Sequence, residues 1–105
     1  MTRVSALSFV AFVVLAATAL PSVARADEVD DWIDRGIELR RVRKDGEALE
    51  FFRRAYQARP APRTRAQMAL AEQALGRWIE AETDLAETLR TQGDTWVDKN
   101  RDKLA

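Results

Sequence analysis

Residues 43–52 read Arg43-Lys44-Asp45-Gly46-Glu47-Ala48-Leu49-Glu50-Phe51-Phe52, and residues 76–85 read Gly76-Arg77-Trp78-Ile79-Glu80-Ala81-Glu82-Thr83-Asp84-Leu85. The Glu-Ala pair of the first stretch returns in the second at an offset of 33 residues. Four residues after each alanine stands a large apolar side chain, Phe52 and then Leu85. Each stretch carries breaker residues and then an apolar period of about 3.6, so each reads as a tight turn entering a helix. A helical hairpin that comes round twice is a repeat, and a repeat decides the architecture ahead of any local propensity.

Outward from these stretches the helical period continues, with no alternating strand pattern past residue 27. A first helix is expected over about Val29 to Val42, with Val29, Trp32, Ile33, Gly36 and Ile37 on one face and Asp31–Arg35 paired at i, i+4. Lys44-Asp45-Gly46 breaks it, and Asp45 is expected to cap the next helix, which runs to about Ala58. That helix turns Ala48, Leu49, Phe51, Phe52, Ala55 and Tyr56 inward and pairs Glu50 with Arg54. Arg59-Pro60-Ala61-Pro62 ends it. Thr64-x-x-Gln67 matches a capping box for a third helix reaching Leu75, and Gly76 punctuates its end. The fourth helix, about Arg77 to Thr91, is expected to face Trp78, Ile79, Ala81, Leu85, Ala86 and Leu89 inward. Gly93 closes it, and Thr95-x-x-Asp98 starts a short last helix. The fold class is therefore all-α, with short connections forcing antiparallel neighbours.

A period near 34 residues built from two antiparallel helices resembles the tetratricopeptide repeat. Trp32 and Gly36 stand four apart as in that family's motif, although Arg35 and Leu39 replace its leucine and tyrosine. Ala48, Phe52, Ala55 and Pro60 fall at the family's later spacings. The second repeat keeps Ala69, Gly76, Ala81 and Leu85 but has Thr88 and Gly93 where alanine and proline are usual. The resemblance implies repeat one over about residues 29–61, repeat two over about 62–94, and a capping helix over about 95–104. It also implies a protein- or peptide-binding groove lined by the first helix of each repeat: Ile33, Ile37, Arg40 and Arg41, then Ala66, Leu70 and Gln73. The family's clamp for chaperone tails uses Lys and Asn where Ile33 and Ile37 stand, so that clamp is not expected. A mixed apolar and arginine groove suits a helix or an extended segment with acidic flanks.

The chain has 105 residues, enough for one domain at most. Arg3, the apolar run from Val4 to Leu20 and the Ala24-Arg25-Ala26 site form an export pattern, with residues 1–26 as signal peptide and cleavage before Asp27. The protein is then expected to be periplasmic or secreted; an uncleaved leader would instead tether it to a membrane. Residues 27–105 hold all 17 acidic residues and all of the 17 basic ones except Arg3 and Arg25, a net charge of about −2. Bulk attraction to nucleic acid or to a membrane is not implied. A domain of about 80 residues without disulfides buries only roughly 60–65% of its surface, so its helices must pack well or borrow surface from a partner.

Catalytic groups are scarce. Beyond the leader there is no His, Cys or Ser, so no nucleophile–base constellation or zinc site is expected, and no cofactor. The acids Asp27, Glu28, Asp30 and Asp31 lack calcium-loop spacing and read as a start that complements a helix dipole. Ten Arg and Lys against four acids in residues 35–65 spread over two helices and a loop. They read as a solvated face with ion pairs, with a basic surface for acidic peptide, lipid head groups or wall polyanions as the alternative. Trp32, Trp78 and Trp96 fit packing positions. The expected function is a non-enzymatic adaptor or scaffold. The alternative is a self-assembling homo-oligomer, since two repeats are fewer than the usual three and Trp96 and Val97 can offer an apolar outer face.

Overall fold

The computed structural model describes residues 25–105, and the leader as far as Ala24 of its cleavage site lies outside them. The described residues form α1 (Ala26–Arg41), α2 (Asp45–Ala58), α3 (Pro62–Ala74), α4 (Trp78–Arg90) and α5 (Thr95–Leu104). Three-residue connections join the first four helices, so each folds back against its predecessor. Packing follows chain order, and α3 also touches α1 and α5. The class is all-α, as the helical period requires.

Close approach of α1 and α2 rests on one small residue. A Cβ placed on Gly36 would lie 2.7 Å from Cζ and 2.8 Å from Cδ1 of Phe52, and closer still to Cε1. Phe52 is fully buried and shares the core with Leu39, Ala48, Leu49 and Ala71 from three helices. Ile33, Ile37, Phe51 and Met68 pack around that cluster, half-buried. Buried alanines do on α3 and α4 what Gly36 does on α1: Ala66, Ala69, Ala71 and Ala81 let helix axes approach.

The two inner hairpin turns are the same turn made twice. After α1, Lys44 N–H donates to the Leu39 carbonyl at 2.9 Å and Arg43 N–H to that of Arg40 at 3.0 Å. After α3, Arg77 N–H donates to the Glu72 carbonyl at 2.8 Å and Gly76 N–H to that of Gln73 at 3.0 Å. Both are Schellman caps, and the second repeats the first 33 residues later. The residue in the left-handed region is Gly76 (φ 75°) in one turn and Arg43 (φ 63°) in the other. Glycine takes that conformation freely, whereas a side chain there costs on the order of 1 kcal/mol.

Helix starts depart from the sequence reading. Lys44, not Asp45, is the N-cap of α2, and Asp45 becomes its first residue without a capping hydrogen bond. Proline fits the first helical position, so α3 begins at Pro62 after Ala61. Thr64 is consequently buried within the first turn and the Thr64–Gln67 capping box does not form. At α5 the cap lies one residue earlier than expected: Asp94 accepts from the Val97 N–H at 2.9 Å. Arg101 then donates to the Leu89 carbonyl at 2.8 Å, holding α5 on the end of α4.

Side-chain pairing differs as well. Glu38–Arg41 and Glu50–Arg53 pair at i, i+3, while Arg54 lies 5.6 Å from the ring centroids of both Trp32 and Phe51. Trp78 and Ile79, expected inward, are 66% and 82% exposed because α4 starts with them and no helix covers its first turn. Leu85, Ala86 and Leu89 are half-buried, and the deeply buried residues of α4 are Ala81 and Thr88.

The Gly36–Phe52 contact gives a direct test by urea denaturation. Gly36→Ala should destabilise by about 1–3 kcal/mol through overpacking, and Phe52→Ala by about 3–5 kcal/mol through a cavity. In the double variant the losses should sum to less than their total, because truncating the ring frees the space that the new methyl needs.

Candidate functional site

The α1–α3 face gathers part of the sequence-predicted groove. Arg40, on the last turn of α1, is half-buried and donates from Nη1 to Gln67 Oε1 of α3 at 2.7 Å. Its Nε is buried without a hydrogen-bond partner among the described residues. Ile33 and Ile37 lie on the same helix with their inner edges on the core. Leu70, one turn from Gln67, is half-buried, and Arg41 is exposed and paired with Glu38 at 2.6 Å. Two residues fall elsewhere. Ala66 is fully buried and offers no surface. Gln73 lines a different cleft, of about 420 Å³, with Trp78, Leu85, Leu89 and Leu104.

Gln67 belongs to the face although its spacing suggested a cap. The sequence signal that placed it there was the i, i+3 and i, i+4 register with Leu70 and Ala71, the same register that carries the core of α3.

A second polar cluster escaped the sequence reading. Glu72 is 2% exposed between α3 and α4. It lines an open cleft of about 270 Å³ with Arg53 of α2, Met68 of α3, and Ile79, Glu80, Thr83 and Asp84 of α4. Asp84 accepts from Arg65 Nε at 3.0 Å, and the Arg65 guanidinium sits 5.6 Å from the Tyr56 ring centroid. Burial first, then its hydrogen bond with Asp84 and the charges of Asp84 and Glu80, push Glu72 up to about 8, with Arg53 opposing. At neutral pH Glu72 is therefore a neutral acid that donates to the Asp84 carboxylate. The clue in the sequence was its place: Ala66, Ala69 and Glu72 follow one another at three-residue spacing on the buried side of α3.

The pair offers one proton donor and one arginine-held acceptor on the wall of a small cleft. No group of three or more metal-ligating side chains occurs among the described residues. No family model matches this chain, and neither does any curated protein or solved structure.

A carboxyl group raised on folding is stabilising while it stays protonated. Its contribution is complete below the unfolded value near 4.5 and is lost as pH rises towards 8. Thermal melts should show the parent losing stability relative to Glu72→Gln between pH 5 and pH 8.5, with the two matched near pH 4.5. Parallel profiles would rule out a protonated Glu72.

Proposed function

We propose that this chain is a tetratricopeptide-repeat-like interaction module, exported to the periplasm or beyond, that holds a protein or peptide partner and performs no catalysis. The observation that carries this reading is the α1–α3 face. There Arg40 and Gln67 join two helices, half-buried Ile33, Ile37 and Leu70 flank them, and Arg41 stands exposed beside Glu38. Apolar edges beside arginines suit a segment with acidic flanks. Support for the repeat comes from the two hairpin caps spaced 33 residues apart and from the small residues that space the helices. The export reading rests on the leader sequence, with α1 starting at the proposed cleavage site.

Self-assembly is the second reading, and its support has moved. Val97 is fully buried and Trp96 half-buried, so α5 does not present the apolar face that the sequence suggested. The cleft lined by Gln73, Trp78, Leu85, Leu89 and Leu104 is the surface that a second copy would cover.

Cross-linking of the tagged chain in its own envelope, followed by mass spectrometry, tests the adaptor reading. A stoichiometric partner should be recovered and should be lost with Ile37→Glu or Arg41→Glu. Recovery of the chain alone would count against an adaptor and favour self-assembly.

A further inference from the structure

We propose that the end of the module formed by the α1–α2 and α3–α4 turns docks peripherally on an anionic lipid bilayer. Antiparallel packing brings together the C-terminus of α1, the N-terminus of α2, the C-terminus of α3 and the N-terminus of α4. The C-terminus of α5 joins them, since Trp78 and Leu104 line one cleft. Val42, Leu75, Trp78 and Ile79 are the large apolar residues exposed among the described residues, and all four lie at this end. The opposite end, where α1 begins and α2 and α4 finish, has none among the described residues.

Charge at the turns is complementary to lipid phosphate. Residues 42–44 and 75–77 contain Arg43, Lys44 and Arg77 and no acid, while Asp45, Glu47 and Glu80 stand in the first turns of the helices that follow. None of these three cations has an ion-pair partner among the described residues, a state they share with Arg25, Arg35, Arg40, Arg54, Arg63, Lys99 and Lys103. Arg43 keeps a cation in the left-handed position that Gly76 fills in the equivalent turn, where glycine would be less strained.

The spacing of the apolar groups favours a bilayer over a protein. A stable protein contact needs a continuous complementary patch of about 800 Å² per partner. Two separate hairpin tips need no such match at a fluid interface, where each inserts on its own and tryptophan sits well at head-group depth. Neighbouring Arg and Lys meet anionic head groups there, an attraction that salt screens. No helix among the described residues is long and apolar enough to cross a membrane, so the contact is a surface one. This docking is independent of the α1–α3 face.

The chain has no cysteine, so Ile79→Cys gives one labelling position in the full chain, and Asp31→Cys gives one at the opposite end. A bimane probe at each is quenched with acrylamide in buffer, with phosphatidylcholine vesicles, and with vesicles that also contain phosphatidylglycerol. With the anionic vesicles the probe at position 79 should lose at least half its accessibility while that at position 31 keeps its own. High salt, or Arg43→Gly with Arg77→Glu, should restore access at position 79. Equal accessibility at both positions overturns the proposal, as does shielding that survives loss of the two arginines. Shielding that grows with protein concentration without vesicles also overturns it and assigns the tips to a second copy.

Discussion

The ring of Phe52 occupies the space where residue 36 would carry a side chain, and the first hairpin depends on that interlock. With Gly36 in place, α1 and α2 close around a fully buried aromatic ring, and the cluster that includes Leu39, Leu49 and Ala71 forms about it. Ala71 brings α3 onto the same cluster, so the contact between two residues organises three helices. The second hairpin is closed by alanines instead and leaves Leu85 and Leu89 half-buried. Its apolar surface is accordingly less complete, and the apolar cleft against α5 is found there.

Much of the architecture was legible in the sequence because it is carried by local pattern. Glu47-Ala48 and Glu80-Ala81, at their 33-residue offset, marked two equivalent hairpin turns, and the backbone bonds of those turns bear this out. Gly76 was placed correctly at the end of α3, whereas α4 already ends at Arg90, ahead of Gly93, which was expected to close it. Helix starts were less legible. Pro62 outcompeted Thr64 because a proline in the first turn fixes the helical φ and loses no hydrogen bond, a preference that outranks the Thr64–Gln67 side-chain motif. Asp94 capped α5 instead of Thr95, and the two positions are both good cap chemistry, so only the packed backbone decided between them.

The candidate site was less legible than the fold, for a physical reason. A helical period says which residues share a face, but not which neighbour that face meets. Arg40 pairs with Gln67, whereas Ala66 is buried and Gln73 looks towards α4 and α5; all three α3 residues follow from the same register. Trp78 and Ile79 satisfied the inward pattern of α4, yet they precede the point at which a neighbouring helix can cover them. Glu72 lay on the alanine side of α3, where a carboxyl group is unexpected until Asp84 supplies its hydrogen-bond partner.

That buried acid also alters the chemistry of folding itself. In an unfolded chain at neutral pH, Glu72 is ionised; in the folded protein, with its value near 8, it holds a proton. Folding therefore draws a hydrogen ion from the surrounding buffer. The calorimetric heat of unfolding near pH 7 then includes the ionisation heat of whichever buffer receives that proton, and differs between phosphate and Tris at the same melting temperature.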